Sequence, residues 1–335
     1  MPKVEICANQ LHISSYMKIY VQFSCTYIGV IHNHKKMKTK EWFEEYITLF
    51  KDGEVEKVMQ NKKAILPTSL FKYTQLHCNS LDCLEHSSVW MAAADTQNDP
   101  FECFLKYEDS ELTRKFFRDP QFQEKFRLIY NSDISLKEIE DIQNDINPEK
   151  KFQNICKEKG IKKFYGDGTN QRNSIISSLI KKYMSKIHLS SFSERNDSIL
   201  MWTHYSQKHK GICIEYDFSN DYEIIEYLEP VYYTKQRYAI TNAYGFDKIN
   251  NTLRIAAFTK AKDWKYEKEW RIVFPCSKEG YLKVPKPKAI YLGTRFDENK
   301  DELKERINRL SENLSIPLYK MKLHDTKYKI IKDKE

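Results

Sequence analysis

The chain has 335 residues, of which 41% are hydrophobic and 30% are charged. These fractions lie in the range of globular proteins and exclude a chain that is disordered throughout. The formal net charge of +8 comes from 55 basic and 47 acidic residues, and the lysines are scattered along the chain. A solvated surface therefore explains the excess more simply than a track for nucleic acid, although a mild attraction for phosphate-bearing ligands stays open.

The cysteines and the apolar runs predict the compartment. The eight cysteines are scattered without a C-x-x-C pair, so the spacing of a zinc site or a redox dithiol is lacking. Several lie beside apolar residues and are typical of reduced core thiols, which predicts a cytoplasmic protein. No apolar run reaches the ~20 residues of a membrane helix, so no membrane partner is expected. Either Met1 or Met37 can be the true start, and we favour Met37 because it opens an amphipathic helix.

The first predicted elements are helical. Residues 1–36 are expected to form a poorly ordered extension, and apolar residues at helical spacing predict short helices over 37–66. A main α+β domain is predicted over 67–325, opening with a strand at 69–73. A short helix at 81–86 and a strand at 89–93 follow.

The centre of the chain predicts a helical insertion over about 105–185, because its charged residues show helical periodicity. It contains an expected loop at 165–170 and a helix at 175–184. A buried strand is predicted next, at 187–192, and residues 326–335 are expected to form a basic tail. The fold class is therefore α+β, with a mixed or antiparallel central sheet, a helical insertion and short N-terminal helices.

A cluster of aromatic and histidine residues follows the predicted buried strand. On a helix predicted over 199–210, Trp202, Tyr205 and His209 stand at i, i+3 and i+7 and share one face, while His204 lies off it. Each ring alone is equally well explained as core, with the histidines satisfied by hydrogen bonds. Their density within eight residues favours a site.

The ends of this helix carry their own signals. Asp197 or Ser198 can cap the first turn. Gly211 suits the left-handed position after the last turn, and the basic residues at 208–210 suit its carbonyl end.

A strand predicted over 264–274 carries paired glutamates. Glu267, Glu269 and Arg271 would share a face, with neighbours roughly 6.5–7 Å apart. Glu269 then lies between a like and an opposite charge, which can separate the carboxylate pKa values and orient one group for chemistry. The alternative is a solvated face with an ordinary Glu–Arg ladder, and the strand taken alone favours that alternative.

A turn after the predicted strand at 89–93 holds further polar candidates. Asn98, Asp99 and Glu102 lie there. Asn98 and Asp99 either cap the next helix or point into a site at the strand end.

Taken in order, these motifs resemble a bacterial family catalogued as domain of unknown function 2971. The resemblance covers roughly residues 60–325. It rests on P-x-x-L-F-K-Y at 67–73, N-D-P-F-E at 98–102, S-F-S at 191–193, M-W-x-H-Y-x-x-x-H-x-G at 201–211, W-x-Y-E-x-E-W-R at 264–271 and I-Y-L-G at 290–293. The resemblance implies no established reaction, but it implies an association with phage defence.

A second resemblance, to ADP-ribosyltransferases, implies a chemistry. These enzymes carry a basic or aromatic residue on an early strand, a Ser-x-Ser strand and a late Glu-x-Glu, and the chain has this order at 72–73, 191–193 and 267–269. The resemblance implies that a fixed carboxylate such as Glu269 stabilises the oxocarbenium character formed when the nicotinamide–ribose bond breaks. The usual early Arg or His is replaced by Lys72.

The predicted site follows from both resemblances and from the clusters. The predicted catalytic residues are Glu269, Glu267, Tyr205 and His204. The predicted substrate-binding residues are Lys72, Tyr73, Asn98, Asp99, Glu102, Ser191, Ser193, Trp202, His209 and Arg271. Tyr205 or Trp202 would stack on nicotinamide, and Lys72, His209 or Arg271 would meet the pyrophosphate. No metal and no resident cofactor is implied; NAD is the expected substrate.

The predicted function is that of a phage-defence enzyme acting on NAD or an ADP-ribosyl substrate, as a transferase or an NAD glycohydrolase. Whether the chain is an enzyme stays open. The alternatives are a nucleic-acid-binding or processing protein, which the positive charge and interleaved aromatics allow, and a non-catalytic ligand-binding regulator. The candidate partners are a small-molecule nucleotide, a nucleic acid and a regulatory protein. The prediction requires the aromatic helix and the acidic strand to line one cavity.

Overall fold

The computed structural model describes residues 40–103, 134–161, 187–237, 254–274 and 280–333, together with positions 114, 117, 118, 120 and 185. The predicted extension at 1–36 lies outside them, as do the loop at 165–170 and the helix at 175–184. Over the described residues, helices and strands are interspersed around one large, mostly antiparallel sheet, which confirms the predicted α+β class.

The elements are numbered in chain order over the described ranges. The helices are α1 Lys40–Asp52, α2 Val55–Ile65, α3 Cys78–Glu85, α4 Leu136–Asn144, α5 Pro148–Glu158, α6 Ile199–Tyr205, α7 Tyr222–Tyr227 and α8 Asp301–Leu314. The strands are β1 Leu70–Thr74, β2 Ser88–Ala93, β3 His188–Ser193, β4 Ile212–Tyr216, β5 Leu228–Pro230, β6 Tyr232–Thr234, β7 Thr259–Ala261, β8 Glu269–Phe274, β9 Gly280–Lys283, β10 Ala289–Leu292, β11 Leu318–Leu323 and β12 Ile330–Lys332. Short 3-10 turns are Ala94–Thr96, Lys262–Glu267 and Phe296–Glu298. No helix in these ranges is both long and apolar enough to cross a membrane.

The large sheet runs in the order β12-β11-β10-β4-β1-β3-β2-β9, and it branches at β3. Strand β8 pairs antiparallel with β3 along its whole length, from His188↔Phe274 to Ser193↔Glu269, and β5 continues on the outer side of β8. Strands β10 and β11 are parallel, and the other pairs of this sheet are antiparallel. Strands β6 and β7 form a small parallel pair. Three of the tail residues, Ile330–Lys332, form the edge strand β12.

The second edge of β3 is shared by two strands. Strand β2 pairs with it at His188 and Leu189, whereas β1 pairs with it at Ser193. Between these contacts β1 and β2 diverge and leave a fork beside residues 190–192. Opposed residues in an antiparallel pair share a face, so Phe71, Ser193 and Glu269 lie on one face of the sheet.

The main hydrophobic core packs on the opposite face. Phe192, Trp270 and Ile272 point into it and are almost fully buried, together with apolar residues of α3, α7 and α8. Burying each such side chain stabilises the fold by about 1.5–3 kcal/mol. Because residues alternate along β8, Glu269 and Arg271 project to the other face, where they are buried as well.

Helices α1 and α2 are joined to the sheet by a buried ion cluster. Glu229 of β5 accepts hydrogen bonds from the Tyr46 hydroxyl, from Lys62 and from Arg254. Lys62 also donates to the carbonyls of residues 225 and 226, both at 2.7 Å. A buried carboxylate without such partners would be strongly destabilising, so this cluster fixes the N-terminal helices in place.

The predicted helix over 199–210 is wrong in its second half. The helix ends at Tyr205, and Gln207, Lys208 and His209 take φ values of 48°, 53° and 70°. The predicted cap holds, since the Ser198 hydroxyl accepts from the backbone of the first turn. Gly211 is not the left-handed residue; glycine is required because a Cβ there would clash with the Thr74 carbonyl oxygen.

The predicted strand over 264–274 is also too long. Residues Lys262–Glu267 form a 3-10 turn, and Lys268, with φ 46°, takes a left-handed conformation before the strand begins at Glu269. Trp264 and Tyr266 therefore do not continue the strand face of Trp270. The apolar residues at 264, 266, 270, 272 and 274 alternate as in one strand, but the first two belong to this turn.

Candidate functional site

A pocket of about 230 Å³ opens at the fork beside β3. It is lined by residues 71–73 of β1, Trp90 and Ala92 of β2, residues 189–192 of β3, Gln97 and Asn98, Met201 and Tyr205 of α6, and Lys260, Glu267 and Glu269. The structure thus brings the aromatic helix and the acidic strand to one cavity. It does so through Tyr205 and the two glutamates.

Glu269 is a fixed, ionised carboxylate at the base of the pocket. It is 3% exposed, and Arg271 donates from Nε to its Oε1 at 2.7 Å and from Nη2 to its Oε2 at 3.0 Å. Lys260 Nζ also donates to Oε2, at 3.0 Å. Burial alone would raise the pKa of Glu269, but Arg271 and Lys260 outweigh it and hold this pKa far below its usual range. Arg271 and Lys260 therefore favour the anionic form of Glu269, which suits a fixed negative charge better than a proton carrier.

All N–H donors of Arg271 are hydrogen-bonded to other groups of the protein. Its guanidinium donates two hydrogen bonds to Glu269, two to Glu102 and one to the Ala257 carbonyl. These five bonds use the five N–H groups of an arginine. Arg271 is 1% exposed and is not among the pocket-lining residues. The prediction that Arg271 meets a pyrophosphate is therefore wrong, and Glu102 is its ion-pair partner behind the pocket.

Glu267 has the opposite character to Glu269. Its Oε1 accepts from the Tyr205 hydroxyl at 2.6 Å, and its Oε2 accepts from Lys260 Nζ at 2.6 Å. Burial and the nearby negative charge of Glu269 raise the pKa of Glu267, although Lys260 and Tyr205 oppose the shift. Two neighbouring carboxylates whose pKa values move in opposite directions are typical of acid–base sites.

Tyr205 links Glu267 to the open part of the pocket. Its hydroxyl donates to Glu267 and accepts from Asn98 Nδ2 at 3.2 Å. Burial, followed by the charge of Glu267, raises the pKa of Tyr205 far above its usual value, so the phenol stays neutral and donates. Asn98, Tyr205 and Glu267 form a continuous hydrogen-bonded chain.

Lys260 is the central residue that the sequence did not reveal. Its Nζ contacts Glu267 at 2.6 Å, Glu269 at 3.0 Å and Glu102 at 3.7 Å. Burial lowers its pKa, but these carboxylates more than reverse the effect and raise it. With Arg271, two cations face three carboxylates, so the cluster has a net charge of −1 when all are ionised. Lys260 follows no motif. Its three carboxylate partners distinguish it from the other lysines, and of these only Glu102 is distant in sequence.

Lys72 lies at the pocket but on the wrong face for its predicted role. It alternates with Phe71, so its side chain leaves β1 toward the core, where Nζ lies 5.1 Å from the centre of the Phe192 ring. Nζ donates to Ser190 Oγ at 2.7 Å and to the Ser191 carbonyl at 3.3 Å. Burial lowers the pKa of Lys72 to about 8. Its amine therefore closes the fork from the core side instead of standing beside Glu269.

Tyr73 and Trp202 form the wall behind the pocket. Their rings meet edge to face at 5.3 Å. The Tyr73 hydroxyl donates to the Arg195 carbonyl, and Trp202 Nε1 donates to the Asn196 carbonyl. Trp202 is completely buried and does not line the pocket, so it is a core residue and the predicted stacking on nicotinamide is wrong for it.

Three other predicted residues hold the site in position. The Ser193 hydroxyl donates to the Glu267 carbonyl at 2.6 Å, and the Ser191 side chain hydrogen-bonds to Glu269. The Asp99 carboxylate accepts from the Phe101 amide at 2.9 Å and so caps the turn.

The two histidines do not line the pocket. His204 is exposed, with its ring 6.3 Å from that of Tyr205. His209 hydrogen-bonds through Nε2 to Thr203 Oγ1 at 3.0 Å, because the left-handed turn at 207–209 carries it off the face of Tyr205. The predicted roles of His204 in catalysis and of His209 at a pyrophosphate therefore have no support in the geometry.

The described part of the chain is an α+β protein with an acidic pocket at a branch of its sheet, and no group of three or more His, Cys, Asp or Glu side chains there could hold a metal ion. A family model described as "Protein of unknown function (DUF2971)" matches residues 201–272, from α6 to β8. This match confirms the predicted resemblance to domain of unknown function 2971, and the matched segment contains Tyr205, Lys260, Glu267 and Glu269. No curated protein and no solved structure matches the chain.

Proposed function

We propose that this protein is an enzyme that cleaves the nicotinamide–ribose bond of NAD or the corresponding bond of an ADP-ribosyl substrate, as an NAD glycohydrolase or an ADP-ribosyltransferase. The observation that carries the proposal is the carboxylate pair in the pocket. Glu269 is held ionised, while the pKa of Glu267 is raised and a neutral phenol lies between Glu267 and the open pocket.

The charge of the pocket suits this substrate. The nicotinamide ring of NAD is cationic, and the cluster of Glu102, Glu267, Glu269, Lys260 and Arg271 carries a net −1 when all five groups are ionised. As the bond breaks, its electron pair moves to the ring nitrogen, so positive charge moves from the ring to the ribose. A fixed anion such as Glu269 stabilises that charge without reorganising.

The acceptor then attacks the ribose carbon, and its proton needs a base. Tyr205 and Glu267 supply one, because the Tyr205 oxygen takes the proton of the acceptor O–H while the Tyr205 proton moves 2.6 Å to Glu267 Oε1. A new carbon–oxygen bond replaces the carbon–nitrogen bond, and the proton ends on Glu267. Water as acceptor gives hydrolysis, and another hydroxyl gives transfer.

The order of strands supports the resemblance to ADP-ribosyltransferases in part. Strands β1, β3 and β8 are adjacent, and Tyr73, Ser191 and Glu269 project from them on one face. Lys72 projects to the other face, so Tyr73 is the early-strand residue in a comparable place. The setting we propose is the cytoplasm and phage defence, which rests on the reduced-thiol pattern and the family resemblance.

A Tyr205→Phe variant tests the proposal with released nicotinamide as the readout. We expect the rate to fall by about 10²–10⁴-fold, the usual contribution of a general acid–base group. The matched control is Tyr291→Phe, because the Tyr291 hydroxyl also donates to a glutamate, Glu215 Oε2 at 2.7 Å, without lining the pocket. Both variants lose a tyrosine–carboxylate bond, but only Tyr205→Phe should lose activity.

Two outcomes would contradict the proposal. If wild-type protein binds NAD without releasing nicotinamide, the pocket serves a regulator that recognises a ligand. If Tyr205→Phe keeps the activity of Tyr291→Phe, Tyr205 does not carry the proton.

A further inference from the structure

An exposed pair of aromatic rings lies next to the pocket on the same face of the sheet. Trp90 of β2 and Tyr281 of β9 are opposed in the antiparallel pair, with ring centres 5.1 Å apart and planes at 72°. Their neighbours Val89 and Met91 are buried in the core on the other face. Trp90 is nevertheless 43% exposed and Tyr281 46% exposed. The cross-strand contact between the two rings contributes roughly 0.2–1 kcal/mol to the sheet, and it leaves both rings partly accessible to a ligand.

The rings are continuous with the pocket. Trp90 lines it, and Ala92, two residues further along β2, pairs with Leu189 of β3, two residues before Ser191. Successive strands lie about 4.8 Å apart, so the three steps from β8 through β3 and β2 to β9 span roughly 14 Å. This aromatic platform, Trp90 and Tyr281, thus lies at a distance from Glu269 that the nicotinamide half of a dinucleotide can span.

The pocket is too small for a whole dinucleotide. Its volume of about 230 Å³ lies below the range of ~300–1,000 Å³ that is usual for drug-sized ligands. The nicotinamide and its ribose can enter, while the pyrophosphate and the second nucleoside must lie outside. The platform is the adjacent surface that offers planar rings to a second base.

We infer that Trp90, edged by Tyr281, is a stacking subsite for the adenine base of the substrate. The inference rests on the proposed function, because the choice of adenine follows from NAD or an ADP-ribosyl group as the ligand. Stacking on an exposed aromatic ring is tolerant of the base, so the subsite would provide affinity, and the pocket at Glu267 and Glu269 would provide the chemistry.

The test measures binding without requiring cleavage. AMP is titrated into the wild-type protein and into the Trp90→Ala, Trp90→Phe and Tyr328→Ala variants by isothermal titration calorimetry, with ribose 5-phosphate as the ligand that lacks a base. We expect AMP to bind, ribose 5-phosphate to bind far more weakly, and Trp90→Ala to raise the Kd for AMP by roughly 5–150-fold. Trp90→Phe should recover most of the affinity. Tyr328→Ala, a change at a fully exposed tyrosine, should have no effect.

Kinetics with NAD separate this inference from the proposed function. We expect Trp90→Ala to raise KM for NAD by a larger factor than KM for nicotinamide riboside, which has no adenine. Trp90-dependent AMP binding without nicotinamide release would support the subsite and overturn the proposed reaction. If nicotinamide is released but the Kd for AMP is the same in wild type and Trp90→Ala, the subsite is refuted and the proposed reaction is not.

Discussion

Lys260→Met is the sharpest perturbation of the site, because it removes one of the two buried cations and keeps most of the side-chain volume. The ammonium lies 2.6 Å from Glu267 and 3.0 Å from Glu269, and the side chain is 4% exposed. Without it, Arg271 alone faces three carboxylates, and the charge of the cluster changes from −1 to −2.

The cost in stability follows from the burial of the pair. Removing one partner of a buried ion pair typically destabilises by about 3–5 kcal/mol, because the other charge is left uncompensated. Protonation of Glu267 relieves part of this cost. Loss of the opposing charge therefore raises the pKa of Glu267 further, in the direction already set by burial and Glu269.

The sign of the pH dependence is fixed by that shift. A carboxylate whose pKa is higher in the folded state than in the unfolded state binds its proton more tightly when folded. Its contribution to stability is present below the unfolded pKa and is lost as pH rises through the folded pKa. Lys260→Met should therefore lose more stability than wild type on going from acidic to neutral pH. The acidic limb of the nicotinamide-release profile should move to higher pH, because the base form of Glu267 is needed.

Urea unfolding at a series of pH values and pH–rate profiles measure the two effects. Lys62→Met is the matched control, since Lys62 is also a buried lysine paired with a glutamate, Glu229. Neither Lys62 nor Glu229 lines the pocket. It should destabilise comparably and leave the acidic limb in place. An unmoved limb in Lys260→Met, with folding intact, would refute the assigned control of Glu267 by Lys260.

Three further predictions concern the same framework. Arg271→Lys should destabilise by about 2–4 kcal/mol in urea unfolding, because three ammonium donors cannot replace five guanidinium bonds; an unchanged midpoint would contradict this. The pKa of Glu269 is lowered in the folded state, so its contribution to stability is present above the unfolded pKa and is lost as pH falls toward the folded pKa. Glu269→Gln should therefore lose less stability than wild type on acidification. An equal loss of unfolding free energy between about pH 5 and pH 3 in both proteins would count against this. Gly211→Ala should lower the free energy of unfolding by about 1–3 kcal/mol in urea unfolding, because the new Cβ would clash with the Thr74 carbonyl oxygen. Gly53→Ala should cost less, since nothing lies within 4 Å of its Cβ position and only φ is strained; an equal cost in the two variants would contradict this.

Local patterns were sufficient to predict much of the fold. Apolar runs predicted the strands at 89–93 and 187–192, which the structure places at Ser88–Ala93 and His188–Ser193. The capping signal at Asp197 or Ser198 predicted the start of α6, and Ser198 is the residue that caps it. These features depend on neighbours in sequence. The meeting of Tyr205 with Glu267 was accessible for another reason, since two dense polar–aromatic segments are unusual in a core.

The remaining features depend on register and on long-range pairing, which a single sequence does not display. Either Lys72 or Tyr73 can lie on the face of Glu269, because adjacent residues of a strand point to opposite faces. The register of β1 on β3, given by the single Phe71↔Ser193 pair, places Tyr73 there. Glu267 reaches the pocket from a 3-10 turn followed by the left-handed Lys268, where alternation predicted a continuous strand. The side chain of Lys260 becomes distinctive only once its three carboxylate partners are assembled around it.

The fork beside β3 has a consequence for motion. The wing formed by β2 and β9 joins the rest of the sheet through two residue pairs at 188–189, whereas β8 is paired with β3 over six. Amide protons of the wing should therefore exchange with solvent faster than those of β8. A ligand that spans the fork would bridge the wing to the sheet's centre and slow this exchange, so occupancy could be followed at the backbone even where no bond is cleaved.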